Sequence, residues 1–391
     1  MYMKNKPQIS LIRFIFLFSF IHFSVSVFAK EADNSTSIRD TSNYFATGTS
    51  RADEKDYAAA IIEFDKAIQL NPEYAEAFMN RGASKMSLGK YKEALIDLNI
   101  AITLAINYPE AYKHRGTVKF SLKDTIGAIA DISKAIEMEP TTYYTAYQSR
   151  AFIKNILKDY EGSLQDYNKA LKIKPNDYES LYGRGQIKMH FEEYYEAIMD
   201  FDAAIEIYPD FAEAYNNRGV CRSKFEDYLG ALKDYTTAID LDSTNAKYLA
   251  NKAITLQFLK RSEEAIIYFN KSIKLNAFDI ETLMNKAYTE YEMKNYDNCV
   301  KDYYTVIKIA PEYIDGYKSL AATLFELKRY KESIECSDKL IKMHPDIFEN
   351  YIGRAKAKYM LNDKAGACKD FQKAIDLGAD QSQHFIDTYC K

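Results

Sequence analysis

Tryptophan is absent from this 391-residue sequence, and glycine and proline are scarce, with 14 and 8 residues. A low content of both, together with an ordinary charged fraction of 28%, argues against long disordered or collagen-like segments. Aromatic side chains come instead from 33 tyrosines and 22 phenylalanines. The composition therefore predicts an ordered chain whose interior is rich in phenyl and phenol rings.

The sequence also lacks the motifs that carry common enzymatic chemistry. It contains no glycine-rich phosphate loop, no Gly-x-Ser-x-Gly, no His-Glu-x-x-His and no Cys-x-x-Cys. No histidine has a cysteine or a second histidine at the spacing of metal ligands; the five are His22, His114, His190, His344 and His384. We therefore expect a protein that is not an enzyme and that needs no metal ion and no cofactor.

Positive charge is not in excess either. The formal net charge is −4, and it becomes −7 without residues 1–29, which contain three basic residues and no acid. Proteins that bind nucleic acid or anionic membranes need a basic face. The charge balance therefore predicts that neither is a partner.

Residues 1–29 have the features of a secretory signal peptide. Lys4, Lys6 and Arg13 precede an apolar run over 14–28, and Ala29 ends a plausible cleavage site. We expect cleavage before Lys30, export to the periplasm or secretion, and no membrane insertion afterwards; an uncleaved anchor is the alternative. Residues 30–40 are polar and without periodicity, so they are predicted to form a flexible lead-in.

The rest of the chain follows a period of 34 residues, with one step of 35. A second small residue comes 12 positions after each of the first, and a bulky residue 4 positions later, although Ser337 stands there in the ninth copy. Proline closes six of the ten copies. The small residues that mark the period are Gly48, Gly82, Gly116, Ala151, Gly185, Gly219, Ala253, Ala287, Ala321 and Ala355.

Each copy contains two segments of helical length with apolar residues at three- and four-residue spacing, the pattern of an amphipathic helix. Small residues allow two helices to cross closely, and the bulky residue fills the space between them. A unit of this size cannot bury its apolar face alone, whereas stacked copies can.

This order of small, small, bulky, small and proline in 34 residues resembles the tetratricopeptide repeat. The resemblance covers residues 41–381, in ten copies. It implies an all-α fold, a right-handed superhelical solenoid of about ten helix-turn-helix units. Residues 382–391 are expected to form a capping helix over the last apolar face.

In this family the first helix of each unit lines a concave groove. The position two residues before the period mark resembles the asparagine ladder of the repeat region of O-linked N-acetylglucosamine transferase, which holds an extended polypeptide; it is occupied by Asn80, Asn217, Asn251 and Asn285. The alternative is that these amides bond a neighbouring repeat. Gln257, Tyr288 and Tyr291 lie one helical turn along and serve either as further contacts or as packing.

A basic residue follows the groove position in nearly every copy, as at Arg81 and Arg218, and an acid precedes it by five residues, as at Glu76 and Glu213. We interpret this row as ion pairs between repeats, in preference to a row that binds a ligand.

Five cysteines cannot all pair within one chain. Cys368 lies in the last repeat and Cys390 in the expected capping helix, and the segment ACKDFQKAIDLG with a terminal TYCK resembles the ending of exported repeat proteins of Bacteroidetes-type bacteria. The resemblance implies a Cys368–Cys390 disulfide, and two free thiols are the alternative.

Taken together, these features predict an envelope scaffold whose groove binds another protein or an extended peptide. A glycan-binding accessory subunit of an envelope enzyme system is the second hypothesis, and a structural spacer is the third.

Overall fold

The computed structural model describes residues 38–379 and 383–390, and within them every regular element is an α-helix. The predicted signal peptide and the lead-in up to residue 37 lie outside the described residues. The first described helix, α1, covers residues 38–53, so residues 38–40 are helical and the predicted boundary at residue 41 is too late. The chain divides into two compact units, one up to Ile187 and one from Lys188.

Unit 1 contains helices that follow one another in pairs, joined by short turns. After α1 they are α2 (Tyr57–Leu70), α3 (Ala75–Ser87), α4 (Tyr91–Leu104), α5 (Pro109–Ser121), α6 (Thr125–Met138), α7 (Tyr144–Ile156), α8 (Tyr160–Ile173) and α9 (Tyr178–His190), within which the unit ends.

Unit 2 repeats the same arrangement and closes with a short helix. Its helices are α10 (Tyr194–Ile207), α11 (Ala212–Lys224), α12 (Tyr228–Leu241), α13 (Ala246–Phe258), α14 (Ser262–Leu275), α15 (Ile280–Glu292), α16 (Tyr296–Ile309), α17 (Ile314–Glu326), α18 (Tyr330–Met343), α19 (Phe348–Met360), α20 (Lys364–Asp376) and α21 (Gln383–Tyr389). The predicted all-α fold of repeated helix pairs is confirmed for the described residues.

The residues that mark the 34-residue period lie where the two helices of a repeat cross. Phe64, Phe269 and Phe371 are completely buried between the helices, as are the alanines beside them. A Cβ atom added to Gly219 would lie 2.9 Å from the ring of Tyr235. Close helix packing therefore requires the small residue, and the bulky residue fills the layer next to it.

The first helices of neighbouring repeats also contact one another within each unit. In unit 1, α3 contacts α5 and α5 contacts α7; in unit 2, α11, α13 and α15 form one such row, and α17 contacts α19. We call the surface formed by the odd-numbered helices of a unit its first-helix face. It presents the groove positions of the sequence analysis.

A buried aspartate in the second helix holds most helix pairs together. Asp97 accepts hydrogen bonds from Arg81 Nε at 2.9 Å through Oδ2 and from Arg81 Nη2 at 2.6 Å through Oδ1, and Lys85 Nζ also lies 2.8 Å from Oδ2. Arg81 Nη1 also reaches Asp65 of the preceding repeat at 2.6 Å. The same triad recurs as Asp131 with Arg115 and Lys119, Asp166 with Arg150 and Lys154, Asp234 with Arg218 and Arg222, and Asp370 with Arg354 and Lys358.

The predicted ion pairs between repeats exist, as between Arg81 and Asp65, but the glutamates named in the prediction are not the partners. Glu76 forms no ion pair with any basic residue in the described part of the chain, whereas Arg81 bonds two aspartates. Asp97, 16 residues after Arg81, lies on the facing helix and meets the guanidinium directly. Each arginine of a triad thus pairs with an aspartate from the second helix of its own repeat, and Arg81, Arg218 and Arg354 also pair with an aspartate of the preceding repeat.

Three consecutive repeats of unit 2 depart from this triad. In α13, Lys252 lies over the ring of Tyr268 of α14, 4.3 Å from its centroid. In the pair α17 and α18, Leu320 replaces the arginine of the triad and Cys336 replaces the aspartate, and both are buried. The pair α15 and α16 keeps an ion pair between Lys286 and Asp302, at 2.6 Å, but places Glu290 where the other repeats have a second cation.

Glu290 leaves this pair with an excess of negative charge. It is 4% exposed, and its Oε2 atom has no hydrogen-bond partner among the described residues. Burial raises the pKa of Asp302, which lies close by, and the charge of Glu290 raises it further, whereas the bond to Lys286 lowers it. The repeat of α15 and α16 therefore places two carboxylates, Asp302 and Glu290, beside one cation, Lys286.

The C-terminal helix α21 folds back on the last repeat. Ile386 and Cys390 pack against the buried Ala355, Ala367 and Phe371. The sulfur atoms of Cys368 and Cys390 are 2.03 Å apart, the separation of a disulfide bond, and their Cα atoms are 5.8 Å apart. Cys221, Cys299 and Cys336 are free and buried. A helix of seven residues is not stable by itself, so packing and the cross-link together hold it.

The triads predict a large effect of removing one aspartate. We expect Asp234→Asn to lower the free energy of unfolding by roughly 3 kcal/mol, because Arg218 and Arg222 lose their shared buried carboxylate. Urea unfolding followed by far-ultraviolet circular dichroism measures this change. The matched control is Asp240→Asn on the same helix, where the exposed side chain should contribute less than about 0.5 kcal/mol. Equal effects of the two substitutions would contradict a structural role for the triad.

The missing cation of the α15 and α16 pair predicts a stabilising substitution. Glu290→Lys should raise the free energy of unfolding by about 1–3 kcal/mol, because it removes an unpaired buried carboxylate and adds a cation beside Asp302. Asp302 is the acid whose pKa is raised on folding. Its contribution to stability is therefore largest below its unfolded pKa, about 4, and is lost as the pH rises. The advantage of the variant should therefore be larger at neutral pH than at pH about 4.

The control for this substitution is Glu292→Lys, which makes the same charge change at an exposed site of the same helix. Urea unfolding of both variants and the wild type at the two pH values separates the local effect from the change in net charge. If Glu292→Lys stabilises the protein as much as Glu290→Lys does, Glu290 is not the source of the effect.

Candidate functional site

The first-helix face of unit 1 contains a cavity of about 490 Å³. Side chains from three consecutive first helices line it, and the ring of Tyr167 from α8 lies beneath them. The residues used below are Phe120 of α5, Gln148, Ser149 and Phe152 of α7, and Tyr182, Gly183 and Gln186 of α9.

The cavity occurs where the groove position carries small residues. Ser149 and Gly183 stand at the positions that hold asparagine in other repeats. A Cβ atom at Gly183 would overlap the ring of Tyr167, which is 4% exposed and whose pKa is raised by burial. Glycine is thus required for the tyrosine to pack, and its missing side chain leaves the space above open.

Aromatic and amide groups meet in this cavity. Phe120 and Phe152 are in edge-to-face contact at 6.4 Å, and Phe152 is 53% exposed. Gln148 Nε2 donates to Asp177 Oδ2 at 3.0 Å and to Glu179 Oε2 at 2.9 Å. Gln186 Nε2 donates to the Tyr182 hydroxyl at 3.0 Å.

Both glutamine amides are therefore held through their nitrogen atoms. Their carbonyl oxygens accept no hydrogen bond from any residue that the structure describes, although each has two lone pairs. The cavity thus offers apolar ring surface together with two oriented hydrogen-bond acceptors.

Unit 2 has a second cavity of about 490 Å³ on its first-helix face, between α15, α17, α18 and α19. Apolar side chains including Tyr291, Phe325 and Leu340 line it, and Ser337 and Gly353 lie opposite each other. Ser337 is the serine that replaces the bulky residue of the ninth repeat. The charged side chains around it are Lys318, Glu326, Glu349 and Lys356.

The structure gives the predicted asparagine row other hydrogen-bond partners. Asn251 Nδ2 donates to Asn216 Oδ1 at 2.9 Å, and Asn216 Nδ2 donates to Asn217 Oδ1 at 3.1 Å. This chain of amides joins α13 to α11, which favours bonding between neighbouring repeats over a ladder for a ligand at Asn217 and Asn251. Asn80 Nδ2 donates to the Glu76 carbonyl oxygen at 2.9 Å, whereas the carboxamide of Asn285 makes no hydrogen bond within the described part of the chain.

The other predicted contact residues lie in different surroundings. Tyr291 lines the unit 2 cavity and is in edge contact with Tyr296 at 5.5 Å. Tyr288 is 50% exposed, and Gln257 is half-buried. Asn251 borders a smaller cavity of about 250 Å³, beside the stacked rings of Tyr228 and Phe258, 5.0 Å apart.

Sequence reasoning missed the residues of the unit 1 cavity. Gln148, Phe152, Tyr182 and Gln186 stand out only once three helices are aligned in space. The signal that could have found them is Gly183, a glycine in the groove row, followed by a turn of helix that ends in a glutamine.

Neither a metal site nor a membrane span emerges from the described residues. No group of three or more His, Cys, Asp or Glu side chains among residues 38–379 and 383–390 could hold a metal ion. None of the described helices is long and apolar enough to cross a membrane. His114 at the groove position of α5 is neutral, since burial lowers its pKa to about 3.

Comparison with known proteins identifies the repeat. A family model described as tetratricopeptide repeat matches residues 144–177, 178–211, 246–279 and 280–313, and a second model of the same description matches residues 45–111. The matched residues make up just over half of the chain. A comparison with curated proteins finds no match.

Several solved structures of the same kind are similar. A tetratricopeptide repeat protein from Parabacteroides merdae is 17% identical, with a TM-score of 0.46, over 64% of this chain and 99% of that chain. YrrB, described as having an unusual peptide-binding site, is 24% identical, with a TM-score of 0.39, over 48% and 95%. The repeat domain of P58(IPK) is 19% identical, with a TM-score of 0.32, over 90% and 97%.

The repeat matches, the recurring helix pairs and the small and bulky residues between them lead to one conclusion. The chain belongs to the tetratricopeptide repeat family.

Proposed function

We propose that the protein is a non-enzymatic scaffold of the cell envelope that holds an extended segment of a partner polypeptide on the first-helix face of unit 1. Proteins of this repeat family generally mediate interactions between proteins. The observation that carries the proposal is the cavity in which the carbonyl oxygens of Gln148 and Gln186, which accept no bond from the described residues, lie beside the exposed ring of Phe152.

These groups suit a polypeptide backbone and one apolar side chain. An extended peptide carries a free N–H on each residue, which an amide oxygen fixed in position accepts. The ring of Phe152 offers apolar area to a side chain beside that backbone. A glycan would also use ring faces and amides, so oligosaccharide binding is the alternative that the experiment must separate.

Export is part of the proposal, and it is supported by the composition of residues 1–29 and by the position of the cysteine pair. Disulfides persist in oxidising compartments, such as the periplasm, and are rare in the cytosol. Two free thiols at Cys368 and Cys390 would have been the expectation for a protein that stays inside the cell.

Export and oxidation can be checked together in protein recovered from the envelope fraction of cells that express the full chain. Mass spectrometry should find an N-terminus at Lys30, and peptides mapped without reduction should join Cys368 to Cys390. A chain that keeps Met1 would contradict cleavage, and two separately alkylated peptides would contradict the disulfide.

Peptide binding is tested with a random peptide library panned against residues 30–391, followed by fluorescence anisotropy of the selected peptides. Phe152→Ser should weaken their binding by at least about tenfold, as expected for a buried aromatic contact. The control is Ile126→Ser, which changes an apolar side chain that is 87% exposed on α6, a second helix of the same unit. Binding of oligosaccharides but of no peptide would move the function to the glycan hypothesis.

A further inference from the structure

The unit 2 cavity exists because a structural residue is missing. At this position of the second helix, the other repeats carry a bulky side chain that fills the space between the two helices, as Phe269 and Phe371 do. The ninth repeat, formed by α17 and α18, has Ser337 instead, which is 3% exposed. The ninth repeat therefore lacks the ring, and the space that the ring would fill is left open.

Gly353, which lies opposite Ser337, does not fill the gap. Gly183 is needed because Tyr167 occupies the place of its Cβ atom, but a Cβ atom at Gly353 would meet only Ser337 Oγ, at 3.7 Å, an ordinary contact. Side chains are thus missing from both sides of the same gap. The result is a cavity of about 490 Å³ on the first-helix face of unit 2.

The polar groups at the bottom of the cavity are already satisfied. Ser337 Oγ donates to the Ser333 carbonyl oxygen at 3.0 Å, and Ser333 Oγ donates to the Ala321 carbonyl oxygen at 2.9 Å. These two serine hydroxyls are therefore already used as donors and do not favour a polar ligand. Tyr291, Phe325 and Leu340 supply apolar walls.

Two features make an aromatic ring the best occupant. Two wall residues are each in edge-to-face contact with a ring outside the cavity, Tyr291 with Tyr296 at 5.5 Å and Phe325 with Tyr330 at 5.3 Å, and a bound ring would extend this arrangement. The surrounding charges, two lysines and two glutamates, balance each other, so the cavity selects for neither an anionic nor a cationic ligand.

We propose that the unit 2 cavity binds one phenylalanine or tyrosine side chain of the partner polypeptide, so that the partner supplies the bulky residue that the ninth repeat lacks. This inference rests on the proposed function, because it names a side chain of the same polypeptide partner. It adds a requirement that the unit 1 cavity does not impose: the bound segment or its neighbour must carry an aromatic residue.

The test uses residues 30–391 and two blocked tripeptides, Ala-Phe-Ala and Ala-Ala-Ala, with the Gly353 amide signal in protein labelled with ¹⁵N-glycine as the readout. Ala-Phe-Ala should shift this signal with a dissociation constant on the order of 1 mM, as expected for a single side chain, and Ala-Ala-Ala should not. No shift with either peptide would overturn the proposal.

Two variants fill the cavity from opposite sides. Ser337→Phe restores the bulky residue of the other repeats, and Gly353→Leu adds a side chain where a Cβ atom fits. Both should keep the helical circular dichroism of the wild type and lose at least tenfold in affinity for Ala-Phe-Ala. Because Gly353→Leu lacks the Gly353 amide, binding to the wild type and to both variants is compared by saturation-transfer difference on the ring protons of the peptide. The control is Ile126→Ser on α6, an exposed position that lines neither cavity, which should leave this affinity unchanged.

The variants also separate this inference from the proposed function. If library peptides bind the wild type and neither cavity-filling variant changes the affinity of those that contain an aromatic residue, the inference is overturned and the scaffold function stands. If Ala-Phe-Ala binds but no library peptide does, the cavity accepts a free aromatic group only, and its assignment to a polypeptide partner is overturned. Loss of aromatic library peptides by both filled variants supports the inference.

Discussion

The buried aspartate of the second helix is the interaction on which the repeats depend. It accepts two bonds from an arginine of the first helix and one from a second cation one turn further along, as Asp97 does from Arg81 and Lys85. An ion pair buried in this way adds less to stability than its short distances suggest, because both charges lose water. Its main effect is geometric: the fork of the guanidinium fixes the register of the two helices.

The same arginine also relates each repeat to the one before it. Arg81 reaches Asp65, and Arg218 reaches Asp202, both at 2.6 Å, so one side chain joins its own helix to two others. The triad is altered in the repeats of α13 to α18, and the unit 2 cavity and the chain of asparagine amides lie among or beside these same repeats. In unit 2, the helix pairs without the regular triad are thus those that line or adjoin this cavity and this chain of amides.

The fold could be predicted from the sequence because close helix crossings force small residues into a fixed period. The partners of the arginines could not be read in the same way, since Asp97 meets Arg81 only after the turn at Gly89 brings the second helix back. The replacement at Ser337 was visible in the sequence, but an open cavity follows from it only because Gly353 lies opposite and no neighbour moves into the gap. The hydrogen bond of Asn251 to Asn216 could not be predicted, because residue 216 lies outside the groove row.

The helix α21 has a consequence for how copies of this chain meet. In a stacked repeat protein each end exposes a surface shaped to receive another repeat, and two such ends on one molecule allow copies to add head to tail without limit. Ile386 and Cys390 cover the apolar residues Ala355, Ala367 and Phe371 at the C-terminal end. One of the two surfaces that an open polymer needs is therefore covered by α21.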